Sequence, residues 1–239
     1  MLTPFASSLM LLLPALATAR VAHQSRAPVN STACAPVHLI IARGTTESYP
    51  GTLESLAGLI TDANPGTDYE SVISCYRRDF LTSTNSYAEG LVAAQDQFNA
   101  YAESCEDSKI IFLAYSQGAM VVGDMLAGGG GDEILGAGNG SLPINSKVGE
   151  RMTALVLYGD PRHIPNESFD VGNNNVTGKY PRTASQISVF ENQYASKIAD
   201  YCNVDDPVCA SGTNLTAHLV YPQNWDITAA AWVQTMLKG

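Results

Sequence analysis

The chain is short of basic charge. Lys and Arg number 13 against 23 Asp and Glu, the formal net charge is −10, and only 15% of the 239 residues are charged. Sequence-independent binding to nucleic acid needs Lys and Arg to replace phosphate counterions, and adsorption to anionic membranes needs the same charges. Neither nucleic acid nor a membrane is an expected partner. Cysteine and histidine are also sparse, five and four residues, and no Cys-x-x-Cys pair occurs. That excludes a zinc centre built on paired thiolates.

Long apolar runs are missing beyond the first residues. The stretch Phe5 to Ala19, FASSLMLLLPALATA, has no charged side chain. It is interrupted by Pro14 and shorter than the roughly 20 residues a membrane-spanning helix needs. It ends in Ala17-Thr18-Ala19, a small-x-small cleavage pattern. Residues 1–19 therefore read as a secretory signal peptide, and residues 20–32 as a polar tail before the folded domain. Asn-x-Ser/Thr sequons at Asn30, Asn139, Asn166, Asn175 and Asn214 fit an extracellular glycoprotein. In an oxidising compartment the five cysteines predict two disulfides and one leftover thiol. Cys202 and Cys209 are the obvious local pair. By loop entropy such a bridge contributes about 2–3 kcal/mol.

Hydrophobic residues make up 45% of the chain and are spread along it, enough for one domain with a sizeable core. Five short apolar runs read as strands: Val37–Ala42, Ser71–Tyr76, Ile110–Tyr115, Thr153–Tyr158 and a weaker run at Ala195–Cys202. Between them lie helical patterns at Leu53–Ile60, Tyr87–Ser104 and Ala119–Leu126, with a terminal helix opening at Asp226. Strands apolar on both faces and separated by helices imply a mostly parallel five-stranded sheet with helices on both faces. The fold class is α/β, in one domain over residues 33–239.

The chemistry centres on Ser116. The run Ile110 to Gly118, IIFLAYSQG, passes from a strand straight into a helix, with small residues Ala114 and Gly118 two positions either side of the serine. This is the nucleophile-elbow pattern, with Ala in place of the usual first Gly. The turn exposes the hydroxyl, and the N–H of Gln117 at the helix start faces the same space. A serine nucleophile needs a general base, and the base needs an orienting acid, in the order Ser, acid, His for this fold. Only His163 and His218 follow Ser116. His218, just before the last helix, is the favoured base, and His163 reads as a surface or loop histidine. Asp206, inside the small loop from Cys202 to Cys209, ranks ahead of Asp205 and Asp160 as the acid. The loop Ala42-Arg43-Gly44-Thr45-Thr46-Glu47 after the first strand is placed to give a second oxyanion donor at Thr45.

Taken together, Ala42 to Glu47, Tyr115-Ser116-Gln117-Gly118, the Cys202–Cys209 segment with Asp206, and Ala217-His218 resemble the fungal cutinase and acetylxylan esterase family of serine esterases. The resemblance runs from Ala33 to Gly239. It implies a small α/β hydrolase without a lid, without metal or other cofactor, working as a monomer. It matches Ser116, Asp206 and His218 to the catalytic triad and Thr45 and Gln117 to the oxyanion hole. It also matches Cys34–Cys105 and Cys202–Cys209 to two disulfides, leaving Cys75 as a buried strand thiol. Gly159-Asp160-Pro161, the Gly-rich run after Ala127 and the stretch from His218 to Gly239 look more like acetylxylan esterases than cutinases. The expected activity is deacetylation of plant cell-wall polysaccharide. Hydrolysis of cutin, another polyester or short-chain esters is the alternative, and a catalytically silent secreted binding protein of the same fold is the third reading.

Overall fold

The computed structural model describes residues 34–72, 86–129 and 141–239. The expected leader and tail, Cys75, the sequons at Asn30 and Asn139, and most of the strand expected over Ser71–Tyr76 lie outside the described residues. Six strands form one parallel sheet: β1 (Val37–Ala42), β2 (Asp68–Ser71), β3 (Lys109–Tyr115), β4 (Met152–Tyr158), β5 (Asp170–Val171) and β6 (Ile198–Tyr201). Their spatial order is β2-β1-β3-β4-β6-β5, with every pairing parallel.

The five-stranded expectation is thus corrected to six. The added strand, β5, is two residues long and half polar, too short to leave a period-two signal. β2 lies at Asp-Tyr-Glu-Ser, ending on the first residue of the run expected as the second strand, most of which lies outside the described residues. It is a half-buried sheet edge, so hydrophobicity does not mark it. The final helix begins at Tyr221 rather than Asp226, with Pro222 in its first turn, where a missing N–H costs nothing.

The central strands are apolar on both faces because both faces are covered. On one face Ile40, Ala42, Phe112, Ala114, Leu155 and Leu157 pack under α2 (Ser86–Ser104) and α3 (Gln117–Ala127). On the other Leu39, Ile41, Leu113, Val156 and Tyr158 pack under α1 (Glu54–Ala63) and the C-terminal helix. Short helices α4 (Ser146–Gly149), α5 (Ala184–Val189) and α6 (Leu215–Leu219) precede that final helix, α7 (Tyr221–Lys238). Cys34–Cys105 ties the segment before β1 to the end of α2, and Cys202–Cys209 closes the loop after β6.

Under α3 the core holds charge. Asp124 is fully buried and accepts from Arg162 Nε at 2.7 Å, from Gln186 Nε2 at 2.8 Å and from the hydroxyl of Tyr87. Gln186 also donates to the carbonyl of Gly128, fixing the end of α3. Burial raises the carboxyl of Asp124, and the neighbouring guanidinium opposes that shift. Removing one partner of a buried ion pair costs more than the pair is worth, because the other keeps its desolvation penalty. Asp124→Ala is therefore expected to destabilise the fold by about 3–5 kcal/mol, read as a lower urea midpoint, whereas Glu103→Ala on the exposed end of α2 stays within about 0.5 kcal/mol.

Candidate active site

In a parallel sheet the ligand crevice lies beyond the carboxyl ends of the strands, where strand order reverses. Here the chain passes from β1 outward to β2 and then returns to β3 on the other side of β1, so the reversal lies between β1 and β3. The loop after β1 carries Thr45, and the residue after β3 is Ser116.

Ser116 has φ 54° and ψ −119°, in the left-handed half of the map that non-glycine residues avoid. Its N–H donates to the carbonyl of Tyr158 at 2.8 Å, which pins the turn to the end of β4. Gly118 permits the turn: a Cβ there would lie 2.1 Å from the carbonyl oxygen of Ala42. Ala114, at the first elbow position, is a regular β3 residue paired with Ala42, and its methyl is absorbed in the core. The Gly usual there is not needed in this chain.

His218 lies on α6 and is 7% exposed; Ser116 is half-buried. His218 Nε2 is 3.0 Å from Ser116 Oγ, and Nδ1 is 2.8 Å from Asp206 Oδ2. Asp206 is fully buried. Its Oδ1 accepts from the N–H groups of Val208 at 2.6 Å and Cys209 at 3.2 Å, and its Oδ2 also accepts from the hydroxyl of Tyr221 at 2.7 Å. Burial alone would raise this carboxyl. The hydrogen bond and charge of His218, then the Tyr221 hydroxyl and the Val208 N–H, hold it below the usual carboxylate range. Gly159 gives the imidazole room, since a Cβ there would lie 2.9 Å from its Cε1. Tyr115 lies under the ring at 5.0 Å and donates to the backbone carbonyl of His218 at 2.8 Å.

The alternative acids stand elsewhere. Asp205 has φ 64° and accepts from the N–H of Thr213, a turn role. Asp160 is buried against Arg182 Nη2 at 2.6 Å and accepts from the N–H of Arg162. His163, expected as a surface or loop histidine, does lie in a loop but is only 1% exposed. Its loop turns inward because Asp200 on β6 offers a buried carboxylate, 2.8 Å from His163 Nδ1. Asp170 and Asp200 face each other in register on β5 and β6. With His163 they form a group whose candidate ligand atoms lie within 4.8 Å of one another. Burial is the largest single influence on His163 and lowers it, but the charge and hydrogen bond of Asp200 together with the charges of Asp170 and Asp160 leave the imidazole raised. Burial and then the Asp200 charge push Asp170 up to about 6. The short Nδ1–Oδ2 contact ties the imidazole to one of the two carboxylates.

Thr45 and Gln117 flank the serine. The Thr45 hydroxyl donates to Gln117 Oε1 at 3.1 Å, joining the β1 loop to the start of α3. First-turn N–H groups of a helix have no acceptor within it and face outward, a ready site for negative charge. Sequence reasoning missed Glu47 as the organiser of this loop. Its carboxylate accepts from the N–H of Gly44 at 2.9 Å and the N–H of Thr52 at 3.1 Å, and its carbonyl accepts from Arg43. Sequence reasoning gave no role to the hydroxyls of Tyr115 and Tyr221, which bind the His218 carbonyl and Asp206. Beside Ser116 lies a cavity of about 260 Å³ lined by Thr45, Gln117, Met120, Pro161, Lys179, Tyr180 and Val208. A hydroxyl, an imidazole and a buried carboxylate in one hydrogen-bonded line, next to an apolar slot and a helix N-terminus, can carry out acyl transfer.

Comparison with known proteins agrees with this geometry. A family model, Cutinase, matches residues 33–237. The chain is 31% identical over 215 residues to the acetylxylan esterase of Hypocrea jecorina, a match that covers 86% of this chain and 68% of that protein. It is 28% identical over 213 residues to Cutinase 11 of Verticillium dahliae, covering 86% and 70%. The catalytic core domain of acetyl xylan esterase from Trichoderma reesei superposes with a TM-score of 0.76 at 30% identity, over 85% of this chain and 100% of that one. The chain belongs to the cutinase family and is a serine carboxylic-ester hydrolase.

Proposed function

We propose that this protein is a secreted esterase that removes acetyl groups from plant polysaccharide through an acyl-enzyme on Ser116. The observation that carries the reading is the unbroken line Ser116–His218–Asp206 opening on a small apolar slot. His218 Nε2 takes the Ser116 proton as Oγ attacks the ester carbonyl. Asp206 orients the ring and stabilises the imidazolium. The N–H groups of Gln117 and Thr45 stabilise the tetrahedral oxyanion. The alcohol leaves with the His218 proton, and water, activated by the same imidazole, then releases acetate. The slot is small, about 260 Å³, and Met120, Val208 and Pro161 are part of its lining, which favours a short acyl group. The relatives named acetylxylan esterase favour a polysaccharide carrier.

Export rests on residues 1–19 as a cleaved leader, on two disulfides, and on sequons at Asn166, Asn175 and Asn214 that are all exposed. Among the described residues, no helix is long and apolar enough to cross a membrane. Residues 33–239 act as a single catalytic domain, and the enzyme works as a monomer. The second reading, hydrolysis of cutin or another apolar polyester, is favoured by one observation. The elements carrying Asp206 and His218 also expose Val204, Leu215 and Leu219, each more than half accessible.

Purified protein assayed on p-nitrophenyl acetate, butyrate and longer esters separates the two. Acetate is expected to lead butyrate by at least about tenfold in kcat/KM, as a slot that excludes two methylenes would impose. Preference for butyrate or longer chains would replace deacetylation with the polyester reading. Ser116→Ala is expected to lower kcat by about 10⁴-fold or more with the fold intact. The absence of Ser116-dependent turnover on every chain length would leave a binding role. The kcat/KM profile is expected to fall on the acid side with a single-proton slope, because protonated His218 Nε2 has no lone pair for the serine proton. A profile flat down to pH 4 would exclude His218 as the base.

A further inference from the structure

Asp206 is the most heavily hydrogen-bonded carboxylate of the site, and one of its two side-chain donors lies outside the serine–histidine–aspartate line. Tyr221, the first residue of α7, is fully buried. Its hydroxyl donates to Asp206 Oδ2 at 2.7 Å, the same oxygen that faces His218 Nδ1 at 2.8 Å. The hydroxyl oxygen in turn accepts from the N–H of Asn203 at 3.1 Å and lies 3.2 Å from Cys209 Sγ. Asn203 binds both sides of the site: its Nδ2 donates to the carbonyl of Ala217, next to His218, and its Oδ1 accepts from Trp225 Nε1 at 2.8 Å and Asn224 Nδ2 at 3.2 Å. The acid loop, the histidine helix and α7 thus meet at one phenol.

We propose that Tyr221 is a positioning residue for ester hydrolysis, holding Asp206 Oδ2 in line with His218 and withdrawing charge from that oxygen. This rests on the triad reading above. Geometry gives the hydroxyl a direction it cannot leave, since its single proton points at Asp206 and its oxygen is taken by Asn203. Burial, then the Asp206 charge, raise the phenol far above its ordinary value, so it stays a donor at every working pH. An aspartate that accepts a second strong donor is a weaker base toward His218. Its hold on the imidazolium is correspondingly softer, and the base stays neutral to lower pH.

The other groups facing this centre come from four directions. Tyr158 on β4 stacks on the Tyr221 ring at 5.2 Å and donates its own hydroxyl hydrogen bond to Asp226 on α7 at 3.0 Å. Asp200 on β6 adds negative charge near the phenol. Tyr115 on β3 lies between the imidazole and Glu47 of the β1 loop. Ser116 faces Nε2. Among these and the backbone donors, Tyr221 is the side chain that shares Oδ2 with the histidine.

The test is the pH dependence of kcat/KM on p-nitrophenyl acetate, with competent sites counted by a phosphonate burst. Tyr221→Phe keeps the ring and removes the donor. It is expected to lower kcat about 3- to 10-fold, leave KM within about twofold, and move the acid limb up by about half a pH unit. Trp225→Phe, which removes a bond to Asn203 without touching Asp206, is expected to lower Tm and leave the acid limb in place. Site-specific 3-fluorotyrosine at position 221 is a sharper donor in the same packing, and it is expected to move the limb down. If Tyr221→Phe does not fold, that substitution decides the matter alone. An acid limb that stays put in both Tyr221 variants would reduce Tyr221 to a packing residue. Ser116→Ala separates the two failures: if it is inactive while the limb does not move, the triad stands and only the role of Tyr221 falls.

Discussion

The site depends on one close approach, that of Gly118 in the first turn of α3 to the end of β1. Its missing side chain lets the helix start directly against the carbonyl of Ala42, closer than any Cβ would permit. That contact leaves Ser116 no ordinary backbone conformation between β3 and α3, and the strained φ is sustained by the Ser116 N–H bond to Tyr158. Everything else at the crevice is referred to this fixed point. The serine hydroxyl stands clear of the sheet, the N–H of Gln117 opens the helix, and the β1 loop comes near enough for Thr45 to reach Gln117.

The molecule manages buried charge differently on the two sides of the sheet. Around His218, one buried carboxylate receives four hydrogen bonds and is held below the usual carboxylate range. Under α3 and along β5 and β6, several carboxylates share Arg162, Arg182 and His163 in a tight set of ion pairs. Such pairs add little net stability over an apolar core but penalise any other arrangement of the same groups. They lock the segment from Asp160 to His163 and the segment near Tyr180, which contribute Pro161 and Tyr180 to the wall of the slot. The cavity beside Ser116 is therefore shaped by electrostatics several residues away from the serine.

What was legible follows from local physics. The runs at Val37, Ile110 and Thr153 are apolar on both faces because both faces are covered, so each stood out from its surroundings. The strands at the sheet edges did not. Asp68–Ser71 and Asp170–Val171 gain their strand geometry from neighbours β1 and β6, not from composition. His163 misled for a related reason: a polar residue after a strand reads as exposed unless its partner, here Asp200, is known.

The sequence by itself determined the parallel α/β layering, the elbow at Ser116 and the presence of a histidine and an aspartate late in the chain. Each of these is written in short-range patterns of apolar spacing, glycine placement and residue type. Only the tertiary structure decided which aspartate meets His218, because Asp205 and Asp206 are adjacent in the chain and differ in which way the disulfide-closed loop turns them. It alone brought Thr45 to Gln117 and Tyr221 against Asp206. Those contacts join segments with no shared periodicity, and a hydrogen bond between distant residues leaves no mark on either segment until the fold has closed.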